Sequence, residues 1–333
     1  MTRAAGRQCF LGHGSSYAGA MLVTSSTRVA YLGPAGTFTE EALLTQEDLA
    51  TAERCAYRSF WDVMEAVAGG SCDLGVVALE NSIEGTVNVT LDKLVFEREL
   101  WIVREMEISV AQCLVGVPGA PIHELKRVIS MPVATAQCRS WLAANATGAD
   151  FETAPSTAEA ARQVAEAQDP QVAAIGTRRA ASLYGLDVLA SDIEDHDFNT
   201  TRFVVVGRPE WGIPAPTGHD KTSIVCFQSS DHPGSLHMIL GQFSARNLNL
   251  TKLESRPTKQ ALGEYCFVID FAGHIGDEVV ADCLRDLHAT LPAVKFLGSY
   301  PAAGEDGEQR RQAASTAWAS ADEWVRSLRS RIG

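Results

Sequence analysis

The stretch Asn199-Thr200-Thr201-Arg202-Phe203 sets an amide, two hydroxyls and a guanidinium directly against Val204-Val205-Val206. A run of three valines reads as a buried strand, and the groups at its entry are those that hydrogen-bond an anion. The plain alternative is a polar loop leading into a strand. Four other polar clusters follow apolar runs in a matching way: Gly33-Pro34-Ala35-Gly36-Thr37-Phe38-Thr39-Glu40, Glu80-Asn81-Ser82-Ile83-Glu84-Gly85-Thr86, Ser130 to Gln137, and Gly176-Thr177-Arg178-Arg179. In open α/β sheets ligands bind beyond the carboxyl ends of the strands, so each of these loops can offer N–H groups and hydroxyls to a carboxylate. Thr37-x-x-Glu40 and Asn81-x-x-Glu84 also fit capping boxes, as does Ser156-x-x-Glu159 where no site is expected. Gly33, Gly36 and Gly85 favour close backbone approach to a ligand, which capping does not require.

No Ser-His-Asp set, Cys-His pair or paired-carboxylate motif emerges from spacing. Gly33-x-x-Gly36 is neither a dinucleotide fingerprint nor a P-loop. His232 and His237, five apart, are poor partners for a metal. What remains is a cleft of neutral donors plus Arg202, suited to a small polyanion.

These loops require strands to carry them. The chain has 333 residues, 46% of them hydrophobic and 21% charged, enough for two or three domains. Its net charge of −13, without a basic stripe, argues against nucleic acid. No apolar run is long enough to cross a bilayer. Eight cysteines without a C-x-x-C pair read as reduced thiols of a cytoplasmic protein. Residues 1–27 read as a disordered leader. From 28 to 208, apolar runs at 29–32, 74–79, 108–117, 127–129, 172–175 and 203–206 alternate with helical segments at 60–68, 134–144 and 157–167, the pattern of a parallel α/β sheet. Residues 209–220, with Pro209, Pro214 and Pro216, form a linker. Residues 221–300 have the order βαββαβ, a ferredoxin-like unit. A charged spacer and an amphipathic helix with Trp318, Ala321, Val325 and Leu328 on one face fill 301–333.

Taken together, these strings resemble the prephenate dehydratase family: Gly33-Pro34-x-Gly36-Thr37-Phe38-Thr39, Glu80-Asn81-Ser82-Ile83-Glu84-Gly85 and Asn199-x-Thr201-Arg202-Phe203, followed by Gly234-Ser235-Leu236 and Asn249-Leu250-Thr251-x-Leu253-Glu254-Ser255-Arg256-Pro257. The resemblance implies a two-lobed fold like that of periplasmic binding proteins, with lobes at about 28–104 plus 190–208 and 105–189, then an ACT regulatory domain. It implies conversion of prephenate to phenylpyruvate, water and carbon dioxide without a cofactor, with Thr201 assisting the departing hydroxyl. Substrate contacts fall to Thr37, Asn81, Ser82, Gly85, Ser130, Gln137 and Thr177, with Arg202 as a carboxylate partner or a holder of the loop, and with Phe203 in the same set but packing as its stronger role. Gly234, Ser235, Leu236, Glu254, Ser255, Arg256 and Pro257 are implied to bind L-phenylalanine as an allosteric effector in a homodimer or homotetramer. An intersubunit Glu254–Arg256 ion pair is the alternative role for that motif. Where the family often has Ser-His-Pro-Gln, this chain has Ser130-Met131-Pro132-Val133; nearby His196 is a substitute or an exposed loop residue. The rival readings are a prephenate decarboxylase and a non-catalytic amino-acid sensor.

Overall fold

The computed structural model describes residues 22–196, 198–228, 232–259, 264–303 and 323–331. Most of the expected leader, the charged spacer at 305–311, and Trp318 and Ala321 lie outside them. The chain runs β1 (Arg28–Leu32), α1 (Phe38–Leu44), α2 (Glu47–Thr51), β2 (Glu53–Tyr57), α3 (Phe60–Ala68), β3 (Leu74–Asn81), β4 (Gly85–Thr86), α4 (Asn88–Asp92) and β5 (Trp101–Ser109). It then crosses to β6 (Cys113–Gly116), β7 (Arg127–Ser130), α5 (Pro132–Gln137), α6 (Arg139–Asn145), β8 (Asp150–Thr153), α7 (Thr157–Ala167), β9 (Val172–Gly176), α8 (Arg178–Tyr184) and β10 (Asp187–Ala190), and returns through β11 (Thr200–Gly207). The last unit is β12 (Asp220–Phe227), α9 (Ser235–Ser244), β13 (Leu250–Pro257), β14 (Tyr265–Ala272), α10 (Glu278–Thr290) and β15 (Ala293–Pro301).

Three sheets result, ordered β2-β1-β3-β11-β5, β10-β6-β9-β7-β8 and β13-β14-β12-β15. The first two give the two-lobed α/β fold, and the third, with its two helices, is ferredoxin-like. The lobes are mixed rather than parallel, as the alternation of runs had implied. β11 lies antiparallel to both β3 and β5, and β6 is antiparallel to β9 and β10. The reason is that the chain crosses between lobes and re-enters the first sheet from the opposite end. The expected run 108–117 is likewise split, because Ser109 ends β5 and the next strand begins at Cys113 in the other lobe. The outward crossing thus follows β5, beyond residue 104.

The lobes are stitched along one seam. Thr177 caps α8 by accepting from the Ala180 N–H and donates to the Gly36 carbonyl at 2.8 Å, while the Tyr184 hydroxyl donates to the Ala35 carbonyl. Gly36 has φ +96°, and a Cβ there would lie 3.0 Å from Ala180 Cα. The glycine therefore lets one lobe touch the other, rather than a ligand. Buried Glu40 completes the seam by accepting from the Gly36 N–H (2.7 Å), from Arg179 (2.9 Å) and from Arg54 (3.2 Å).

The third sheet docks on the first. Val204, Val206, Ile102 and Leu79 share one buried cluster with Val225, Cys266, Val268, Leu297 and Tyr300, so no solvent layer separates the units. Phe203 and Val205 pack on the opposite face, with Tyr31, Leu43 and Met106. Where β15 meets β5, Gly298 has φ +144° and a methyl group there would overlap the Ile102 carbonyl. Gly298→Ala is expected to cost about 1–3 kcal/mol and to loosen the docked unit, seen as a lower melting temperature and faster proteolysis within residues 212–217.

Burial pushes the Glu40 carboxyl up, but hydrogen bonds from Arg179 and the Gly36 amide, with the charges of Arg179 and Arg54, outweigh it and leave it below the usual range. A carboxyl lowered by folding stabilises the native state above its unfolded pKa, and that stabilisation disappears as pH falls through the folded value. Thermal melts should therefore show wild type more stable than Glu40→Gln at neutral pH, with the gap closing below about pH 4.3. A gap that stays constant with pH would contradict this.

Candidate active site

β-Strand side chains alternate between faces, so neighbours in β11 point oppositely. Register pairs Thr201 with Asn81 and Arg202 with Glu80. Alternation along β3 alone would turn Asn81 away from Thr201, since Val77 and Leu79 both lie against the docked third sheet. A register shift between Arg202 and Phe203 corrects this. Arg202 faces Glu80 while Phe203 faces Ala78, so β3 carries one extra residue. The extra residue brings Glu80 to the third sheet's side, where Lys252 binds it at 3.1 Å, and brings Asn81 round to Thr201. Bulges beside functional sites commonly re-aim side chains in this way.

The Asn81 amide orientation follows from its surroundings. Its oxygen faces the N–H groups of Ile83 and Glu84, both at 3.0 Å, and backbone N–H groups only donate. The Asn81 NH₂ must therefore point the other way, donating to Thr201 Oγ1 at 2.9 Å and to Asn199 Oδ1 at 2.8 Å. Thr201 is thus an acceptor from Asn81, and no hydrogen bond among the described residues uses its own proton. Asn199 passes the chain of amides across the lobes by donating to Gln137 Oε1 at 3.0 Å. Gln112 reaches the same oxygen at 3.4 Å. Thr201, Asn199 and Gln137 are all buried. The result is a rigid polar ridge where the two lobes meet, presenting a hydroxyl with a free proton.

The structure gathers Thr201, Asn81 and Gln137, with Ser82 beside them. The Ser82 hydroxyl donates to the Phe198 carbonyl and accepts from the Thr200 N–H, so it secures the β11 entry. Asn199 was quoted in its motif without a role, and Gln112 carried no motif signal. Gly85 turns at φ +77° with open space where a Cβ would be. Three expected substrate contacts have other employment. Thr37 caps α1 and donates to the Leu32 carbonyl at 2.7 Å, Thr177 holds the seam, and buried Ser130 donates to the Ile175 carbonyl.

The structure decides between the roles open to Arg202 and Phe203, and neither lies among the cleft donors. Phe203 packs as a core residue, 2% exposed. Arg202 points away from Thr201 into the third sheet, donating to Glu105 (2.5 Å), Asp270 (2.6 Å) and the Tyr300 hydroxyl (3.0 Å). Its guanidinium is spent on protein carboxylates because strand alternation leaves it on the wrong face for the cleft. His196 is exposed, as are Met131 and Val133. Among the described residues no three His, Cys, Asp or Glu side chains gather to hold a metal, and no helix is long and apolar enough to cross a membrane.

In the third unit, Gly234 (φ +90°) opens α9 with Ser235, and Leu236 packs against the local core. On β13, Ser255 and Pro257 are exposed while Glu254 and Arg256 are half-buried. Glu254 accepts from Thr86, and Arg256 donates to Asn88 and to Asp92, whose contact is very short. Both side chains thus grip β4 and α4, the elements that follow Asn81. They also pair with each other at 3.3 Å within the chain.

Two family models match the chain: prephenate dehydratase over residues 29–210 and the ACT domain over 222–289. A prephenate dehydratase of Mycolicibacterium smegmatis is 40% identical over 92% of this chain and 99% of its own length. A solved prephenate dehydratase from Arthrobacter aurescens, described in complex with L-Phe, is 40% identical with a TM-score of 0.79, covering 91% of this chain and all of that one. A structure described as a novel type of quorum quenching acylase is 30% identical with a TM-score of 0.74, covering 83% and 98%. The two-lobed sheet pair, the Asn81–Thr201 ridge and the docked ferredoxin-like unit all fall within these matches, and the chain belongs to the prephenate dehydratase family, a lyase family, with an ACT domain at its C-terminal side.

Proposed function

We propose that this chain converts prephenate to phenylpyruvate, water and carbon dioxide, with the Thr201 hydroxyl donating to the ring hydroxyl as it departs. The observation that carries the reading is the direction of the Asn81–Thr201 bond. Asn81 donates, so the Thr201 proton is left for the substrate.

In the reaction the bond to the ring carboxylate breaks and carbon dioxide leaves. The electron pair enters the ring, and the carbon–oxygen bond breaks on the opposite side. Hydroxide departs with the pair of the carbon–oxygen bond and takes up a proton to become water. Aromatisation drives the change, so no covalent nucleophile is required. A threonine hydroxyl is too weak an acid to deliver a proton beforehand, and its part is a hydrogen bond that strengthens as negative charge grows on the leaving oxygen. Donation from Asn81 polarises that hydroxyl in the helpful sense. With Arg202 turned away, the substrate's carboxylates fall to neutral donors around the cleft, such as the Gln137 side-chain NH₂ and loop N–H groups.

Acyl transfer, suggested by the acylase relative, asks for a nucleophile with a base beside it. Thr201 instead meets an amide donor. Decarboxylation without dehydration, or amino-acid sensing alone, leaves the free Thr201 proton without a task.

Control by L-phenylalanine at the α9 turn and Ser255–Pro257 is supported by the L-Phe complex of the Arthrobacter relative. Assembly into a homodimer or homotetramer is supported by the exposed Leu253 and Tyr265 on the ACT unit, and a cytoplasmic location by seven free cysteines among the described residues.

Ultraviolet assay of phenylpyruvate tests the reading. Thr201→Ala should lower kcat by about 10²–10³-fold, with Thr201→Ser retaining most of the rate. Asn81→Ala should lower kcat about tenfold while leaving KM within about threefold. Full turnover in Thr201→Ala would overturn the assignment.

A further inference from the structure

We infer that Arg202 is a positioning residue, the clasp through which the ACT domain sets the geometry of Thr201. The inference rests on the catalytic role proposed for Thr201. Arg202 is next to Thr201 in β11 and on the opposite face of a single sheet. Its three hydrogen-bonding groups are Glu105 from β5 and Asp270 and Tyr300 from the ACT domain. The clasp is closed on the ACT side. Ser223 donates to Asp270 at 2.6 Å and shares a 2.6 Å bond with the Tyr300 hydroxyl. Lys221 binds Glu105 at 2.7 Å. The carboxylates of Glu105 and Asp270 are 0% and 2% exposed.

Buried ion clusters of this kind tolerate little displacement, because each charge loses water and depends on its neighbours' positions. Ordinary docking is already supplied by the apolar contacts of Val204 and Val206 with Val225, Val268 and Leu297. A planar guanidinium held at all three nitrogens adds direction, since it fixes the fork's orientation as well as its distance.

A second tether reaches the other half of the catalytic pair. Lys252 binds Glu80, the neighbour of Asn81, and Glu254 and Arg256 hold Thr86, Asn88 and Asp92 just beyond it. Glu80 also lies 3.6 Å from Arg202. Both residues of the Thr201–Asn81 pair therefore have a strand neighbour anchored in the ACT domain, and one of those anchors is the β13 motif expected to meet the effector. A shift of the ACT sheet, or its tightening around a ligand, moves the backbone of β11 and β3 together. Misplacing a catalytic group by an ångström costs up to about 10²-fold in rate.

The full chain carrying Tyr300→Phe, which deletes one hydroxyl and no charge, or Arg202→Lys, which keeps the charge and loses the fork, provides the test. Each is compared with wild type for kcat, KM, melting temperature, L-phenylalanine binding by calorimetry, and the ratio of turnover with and without saturating L-phenylalanine. The expected result is a kcat lowered about fivefold or more with KM within about threefold. The turnover ratio should move towards one while L-phenylalanine still binds. A lower melting temperature with kcat and the ratio as in wild type would reduce the cluster to a structural one and overturn the inference, as would a wild-type enzyme whose turnover ignores L-phenylalanine. Full turnover in Thr201→Ala would instead remove the catalytic assignment, independently of the Tyr300→Phe outcome.

Discussion

One hydrogen bond organises the site: the Asn81 amide donates to Thr201 Oγ1 across adjacent antiparallel strands. Its direction is imposed by two backbone N–H groups at the Asn81 oxygen. Because an amide and a hydroxyl have complementary capacities, settling the amide settles where the hydroxyl's proton can go. The bulge in β3 that brings Asn81 to that face, and the Asn199–Gln137 bond that ties the ridge to the second lobe, exist in service of that contact. So does the antiparallel return of β11, without which Thr201 would not oppose Asn81 at all.

The same constraint explains why the arginine of the motif points away from Thr201. A residue adjacent to Thr201 in an extended strand must face the other way. On that side the first lobe's sheet is covered by the ACT sheet, so Arg202 meets two buried carboxylates and a tyrosine hydroxyl. Burial opposes charge on Arg202, but the neighbouring Tyr300, Asp270 and Glu105 more than compensate and raise its pKa well above the ordinary value. It therefore remains a cation throughout the working range of pH. In the proposed mechanism, a cleft of neutral donors within a chain of net charge −13 holds its anion through fixed dipoles rather than through a pool of positive charge.

Much of this was legible in the residues. The valine run, the order of the C-terminal elements, and the helices at 60–68 and 157–167 follow from periodicity and capping, and the structure places those two helices at Phe60–Ala68 and Thr157–Ala167. The cluster of Asn81, Gln137 and Thr201 was visible as loops after strands. What the sequence concealed depends on contacts between distant segments. β2, β8 and β10 are short and carry little alternation, so β8, exposed along its length, shows no apolar signal. Thr37 and Thr177 look like ligand donors in a linear reading, yet their hydroxyls serve a cap and a seam. Gly36 reads as room for a ligand and instead makes room for Ala180. The bulge at Leu79 and the destination of Arg202 have no local signature, since both are set by which sheet lies behind the strand.

The most direct measurement is a crystal structure of the full chain with prephenate or a non-reacting analogue that keeps the ring hydroxyl. The account predicts Thr201 Oγ1 within about 2.6–3.2 Å of that hydroxyl oxygen, with the Asn81 amide still donating to Thr201 from the other side. A bound ligand whose hydroxyl lies beyond reach of Thr201, or an Arg202 swung round to grip a substrate carboxylate, would contradict it.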